Sequence, residues 1–326
     1  MADSDDDDRT IRMMRPVPRA KLRLLVPAVA LVAVLAAGAG VWIVARAPVG
    51  GAPVVVPVPV PVQPAAAPVD FPLADEAAIL AAPAPEMLVF RFRDAPSVLV
   101  LSFPSLAQQG DMLDRVAAFV EKAGLPRDRV LADADLDAAI RQAGETRESY
   151  YYGHDYRAAD LARFFATADR DGIALDAEEV RLRALLTRAG MLRDGAVGAL
   201  ISIPPVVEAQ QIDATSRATI LHHELSHGVY FTDAAYAAYA RAFWQTALSD
   251  AQRAGFRRFL GSEGYDTANE DLMLNEAQAY LIHTPDRRYF LPDRAGLTEA
   301  EAARLRAVFV GGMADGWLKD AAIRTQ

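Results

Sequence analysis

The chain has 326 residues, 52% of them hydrophobic, and a formal net charge of −9; that length allows one large domain or two average ones. An acidic chain of this kind has no electrostatic footprint for nucleic acid, so no nucleic-acid partner is expected. It contains no cysteine, which excludes disulfides and cysteine-ligated metal sites.

Residues 1–23 combine an acidic run, Asp5 to Asp8, with Arg9, Arg12, Arg15, Arg19, Lys21 and Arg23. No apolar stripe runs through them, which predicts a solvated cytoplasmic tail. Residues 24–45 read LLVPAVALVAVLAAGAGVWIVA, 22 positions without a charge. At about 1.5 Å per residue they cover about 33 Å, enough for a bilayer core. A cleaved signal peptide has a shorter apolar region, so an uncleaved transmembrane anchor is expected. Six bases precede it and only Arg46 follows closely. The positive-inside rule then predicts a single-pass protein of a bacterial inner membrane, its N-terminus cytoplasmic and its main domain periplasmic or extracellular. Residues 46–69 form a Pro/Val-rich linker, with seven prolines between Ala47 and Val69. Such a run makes neither a helix nor an inner strand and predicts a polyproline spacer up to roughly 70 Å long.

Residues 70–326 read as the folded domain. MLVFRFR (87–93) and SVLVLSF (97–103) are strand-like and separated by DAP, a hairpin signal. Helical periodicity follows over 105–123, 133–143, 157–170 and 176–189. VGALISIPP (197–205) reads as another strand, ended by two prolines. Helices are then expected over 214–231, 233–248, 250–260, 268–283 and 298–310. The expected class is α+β, with a small N-terminal sheet and a helix-rich C-terminal half, preceded by one transmembrane helix.

Three of the five histidines fall within ILHHELSHGVYF, Ile220 to Phe231. On a helix, His223 and His227 stand at i and i+4, so both imidazoles can face one zinc ion. Glu224, between them, is placed to act as general base on a zinc-activated water. A buried helix carrying two imidazoles and a carboxylate is costly without a partner, and a metal supplies one. Asp233 occupies the last slot of a continuous ligand extension, but Tyr230 stands where that extension needs a turn glycine. FTDAAYAAY reads instead as a new helix capped by Thr232 or Asp233. The better third ligand is Glu276, set among Leu272, Leu274, Ala277, Ala279 and Tyr280 on the helix expected over 268–283, with room for two helices in between. One Zn2+ per chain is expected.

HELSHGV followed by NEAQAY resembles the gluzincin metallopeptidases, the thermolysin-like group, across about 65 residues. The resemblance implies a zincin-like domain, His223, His227 and Glu276 as metal ligands, Glu224 as general base, and a peptide or protein substrate. Asn275 and Ala277 match the flanks, whereas Tyr280 replaces the aspartate that orients the first histidine, leaving Asn269 and Asp271 as substitutes. The family also implies an edge strand before the zinc helix, for which VGALISIP is the candidate, and an oxyanion-stabilising His or Tyr. His283, on the face of Glu276, and Tyr151, Tyr152 and His154 in YYYGHDY are the candidates for that role. Two other readings stay open: a zinc amidase or peptidase acting on cell-wall peptides, and an inactive zincin-like binding module.

Overall fold

Val98–Ser102 is buried at every position, and so is Ala199–Ile203. A strand that hides both faces belongs inside a sheet that is covered on both sides. The computed structural model describes residues 71–324. In chain order these form β1 (Leu73–Ala74), α1 (Glu76–Ala81), β2 (Leu88–Phe92), β3 (Val98–Ser102), α2 (Leu106–Val120), α3 (Asp133–Gln142), β4 (His154–Arg157), α4 (Ala158–Asp171), α5 (Ala177–Ala189) and β5 (Ala199–Ile203). The second half is α6 (Ala214–Thr232), α7 (Ala234–Thr246), α8 (Asp250–Glu263), α9 (Glu270–His283), α10 (Glu299–Gly312) and α11 (Trp317–Arg324).

The strands make one sheet in the order β1-β2-β3-β5-β4. β2 and β3 are the expected antiparallel hairpin. β3 and β5 pair in parallel, Val98 opposite Ala199 and Ser102 opposite Ile203, and β4 closes on β5 antiparallel. The expected class is corrected here: the fold is mixed α/β, and the sheet is not confined to an N-terminal part. Its central pair joins strands separated by α2 to α5. Periodicity marks a strand but not its distant partner, so the crossover was not visible. β5 is an inner strand rather than the expected edge; the edge on its side of the sheet is β4, four residues long and read as part of an aromatic stretch.

The membrane expectation is corrected as well. Among the described residues no helix is long and apolar enough to cross a membrane. The longest, α6, has 19 residues and carries Arg217, Glu224 and three histidines. Residues 1–23, 24–45 and 46–69, read as tail, anchor and linker, lie outside the described residues, and the single-pass inner-membrane assignment is withdrawn.

Helix starts follow local chemistry. Asp213 caps α6 by accepting from Ser216 N at 2.7 Å, and Asn269 caps α9 by accepting from Leu272 N at 3.2 Å. Asp233 accepts from Ala235 N and Tyr236 N at the start of α7, so it serves as a cap, as its surroundings indicated. α6 packs on β5, β4 and β3 on one side and on α9 and α7 on the other. Gly228 permits the close approach to the sheet: a Cβ there would stand 2.8 Å from Val98 Cγ1. Arg217 pins the same helix, donating to Ser102 Oγ at 2.9 Å and to the Pro204 carbonyl at 3.0 Å. The histidines of α6 are thereby held between the sheet and α9.

Candidate metal centre

α6 and α9 face each other with their polar residues inward. His223 is 1% exposed, Glu224 3%, and His227 and Glu276 are fully buried. The Nε2 atoms of His223 and His227 lie 3.0 Å apart. Glu276 Oε2 is 3.7 Å from each of them. Tetrahedral donors at about 2.0–2.1 Å from a zinc ion stand about 3.4 Å from one another. The three edges of this triangle fall on either side of that value, so the residues fit a metal ion.

The hydrogen bonds around the triangle agree. Thr284 Oγ1 donates its one proton to the Ala279 carbonyl at 2.9 Å. It therefore accepts from His223 Nδ1, 2.8 Å away, which leaves a lone pair on Nε2. Both oxygens of Glu276 lack a hydrogen bond of ordinary geometry, an expensive condition for a buried carboxylate with no cation beside it. Burial holds His223 down to about 3 and His227 to about 4, so both rings are neutral donors, with Glu276 partly offsetting the shift at His227. Burial also raises the Glu276 pKa, opposed by His227 and by the Tyr265 hydroxyl.

Glu224 lies against this set, as the motif requires. Its Oε2 has no hydrogen-bond partner. Burial pushes its pKa well up, and the charges of Glu276 and Glu121 add to the effect. The backbone of the segment leading into β4 presses on its other oxygen: a Cβ at Gly153 would lie 2.0 Å from Glu224 Oε1. Any larger residue there would push the Glu224 carboxylate aside.

The other candidates are placed elsewhere. His283 is not brought into the cluster: its Nε2 is 3.1 Å from the Tyr236 hydroxyl and its Nδ1 is 3.4 Å from His222 Nε2. Strand alternation puts His154 and Asp155 on opposite faces of β4. His154 turns into the core, bonding Ser202 Oγ at 2.8 Å, and Tyr152 donates to Gln210. Tyr151 stacks on His154 and its hydroxyl is buried without a partner. Of the substitutes for the missing aspartate, Asn269 is the α9 cap and Asp271 pairs with Arg157 and Arg241. Thr284 takes the role instead. Tyr280 contributes ring packing against His223, with centroids 4.8 Å apart.

Two acids not singled out from the sequence join the site. Asp155 Oδ2 lies 3.9 Å from His227 Nε2, and donor atoms of Asp155, Glu224 and His227 lie within 4.8 Å of one another. Glu121, Asp155 and Glu276 form a further group of the same compactness. The His-Asp pair in YYYGHDY was the available signal for Asp155; nothing local marks Glu121. A cleft of about 60 Å3 opens beside these acids and is lined by Glu121, Asp155, Asp271 and Asn275 among others. No known protein family, curated protein or solved structure matches this chain. The resemblance to gluzincins therefore rests on the two motifs alone.

Proposed function

We propose that this protein is a zinc-dependent metallopeptidase holding one zinc ion on His223, His227 and Glu276. A single observation carries the reading. Two imidazole nitrogens and a buried carboxylate that makes no hydrogen bond of ordinary geometry converge on one point, with Glu224 beside them. Three protein donors of this kind are the set that catalytic zinc uses, with a fourth position open to water or substrate. Bound there, zinc would polarise the scissile carbonyl and acidify a water molecule. Glu224 takes the proton of the attacking water and passes it to the leaving amine. A cation at Glu276 opposes the effects that hold the Glu224 pKa up, favouring the carboxylate needed for that first transfer. Thr284 keeps His223 in the tautomer that offers Nε2. β4 stands last in the sheet, and its outer edge would pair with an extended peptide backbone.

One observation favours a second reading, a chain that holds zinc without hydrolysing anything: Gly153 covers Glu224 closely. The deciding experiment measures zinc by elemental mass spectrometry and hydrolysis of a quenched fluorescent peptide library, for wild type, Glu224→Gln and Glu276→Ala. The expected result is one zinc per wild-type chain, retained in Glu224→Gln with a roughly 10²- to 10⁴-fold loss of turnover. Glu276→Ala should hold zinc weakly. Zinc without turnover in wild type supports the second reading, and no zinc at all removes both.

A further inference from the structure

Glu121 is not explained by a site built from His223, His227 and Glu276. It is the C-cap of α2, at the negative end of the helix dipole, with no basic residue in the last turn. It is also 4% exposed. Its carboxylate shares the interior with those of Asp155, Glu224 and Glu276. Four acids so close are mutually unfavourable unless cations balance them. The cationic side chains around them face other acids as well: buried Lys122 acts on Glu121 but also on Glu145, Asp114 and Glu263, Arg157 meets Asp271 at 2.5 Å, and Arg127 meets Asp266 at 3.7 Å.

The oxygens of Glu121, Asp155 and Glu276 lie within 4.8 Å of one another, as do the donors of the histidine set. Glu276 belongs to both groups. Its Oε2 faces the two imidazoles at 3.7 Å. Its Oε1 is also fully buried and makes no hydrogen bond of ordinary geometry.

We propose that Glu121, Asp155 and Glu276 hold a second divalent cation beside the first, with Glu276 as the shared, bridging carboxylate. The proposal rests on the reading of His223, His227 and Glu276 as a metal site. One divalent ion offsets part of the charge of these four carboxylates, and a second offsets what the shared cationic side chains leave. The donor set also differs in kind from the first. It is all oxygen, which selects hard cations of the Mg2+, Mn2+ and Ca2+ class over zinc. The cleft lined by Glu121, Asp155 and Asn275 gives this ion a route to solvent and room for a water ligand.

The test uses the full-length chain, stripped by a chelator, loaded with one equivalent of zinc and titrated with Mn2+. Bound Mn2+ is followed by electron paramagnetic resonance, and zinc is measured again at the end. The expected result is one Mn2+ per chain with zinc retained, and at least a tenfold loss of Mn2+ affinity in Glu121→Gln and in Asp155→Asn at unchanged zinc content. If Asp155→Asn also loses zinc, Glu121→Gln decides, because Glu121 is outside the histidine set. If Glu121→Gln does not fold, Glu121→Asp, one methylene shorter, should weaken Mn2+ binding in a folded chain. A zinc-loaded chain that binds no Mn2+, binds it only by releasing zinc, or binds it equally in every variant overturns the proposal. That outcome would mean the acids hold a shared proton instead. Failure to load zinc, with Mn2+ still bound in a Glu121-dependent way, would remove the zinc reading and leave the second site standing.

Discussion

Two pairs of histidines join the same stretch of structure and are satisfied in opposite ways. His222 on α6 meets His283 on α9, and that pair closes its own hydrogen bonds. The Tyr236 hydroxyl donates to Gln278 Oε1 at 2.7 Å, so His283 Nε2 donates to Tyr236 and His283 Nδ1 accepts from His222 Nε2. Every proton has a receiver. One position further along α6, His223 turns the lone pair of Nε2 toward His227 Nε2, 3.0 Å away, and the Glu276 carboxylate lies 3.7 Å from both nitrogens without a hydrogen bond of ordinary geometry. Burial is nearly equal in the two pairs, so burial alone does not make a metal site. What separates them is whether the surrounding groups supply protons to the ring nitrogens or leave lone pairs converging.

The most damaging test of that contrast is His227→Ala, which should abolish stoichiometric zinc binding, whereas His283→Gln should leave it intact. Chelation should lower the thermal midpoint of wild type and of His283→Gln but not of His227→Ala; at zinc 1,000-fold above Kd the linkage is about 4 kcal/mol. Next in size is Gly153→Ala. Its Cβ would displace Glu224 Oε1, and a shift of about 1 Å at the proton-transfer group should cost on the order of 10²-fold in turnover. Zinc content should not change, which a parallel metal assay would show. Thr284→Val removes the acceptor that sets the His223 tautomer and should weaken zinc 10- to 100-fold by competition titration, a typical effect of losing such a partner. Thr284→Ser should restore it.

The smallest effect concerns the hydrogen-bonded pair. Burial holds His222 down to about 4, below the roughly 6.5 of an unfolded histidine. Between those values the unfolded chain binds the extra proton and the folded chain does not. The stability from neutral His222 is therefore fully present above about pH 6.5 and is lost as pH falls toward 4. Denaturant titrations of metal-free protein at pH 7 and pH 5 should differ less in His222→Gln than in wild type, by about 2 kcal/mol. An unchanged difference would mean that His222 is not held neutral.

Much of the histidine site was legible because its chemistry is periodic. His223 and His227 repeat at one helical turn, and Glu276 stands out as an acid among apolar neighbours on α9. The residues that complete the surroundings repeat with nothing. Asp155 reaches the site because β4 pairs with β5, and Glu121 because α2 ends beside it. Thr284 matters only where α9 stops. In the fold, the continuous apolar runs of β3 and β5 announced strands buried on both faces, yet no local pattern says that the two are neighbours. The aromatic run around His154 concealed the edge strand, since its alternation is four residues long and the rings of Tyr150, Tyr151 and Tyr152 precede it in the same run. The apolar stretch at 24–45 was read from its length, its lack of charge and its basic flank; it lies outside the described residues, among which no helix supports that reading.

The parallel pairing of β3 with β5 also sets an order of events during folding. Val98 and Ala199 are partners in register, so the centre of the sheet forms only after a long loop of chain has closed. Loop-closure entropy makes such contacts slow to nucleate. α6 packs on both strands, so its burial must follow theirs, and Glu276 joins only after α9 docks on α6. His223 and His227, one turn apart, are available to zinc much earlier. Refolding in the presence of the ion should therefore show two phases of zinc protection from a chelator: a fast, weak one carried by the two histidines, and a slow, tight one that reports completion of the sheet.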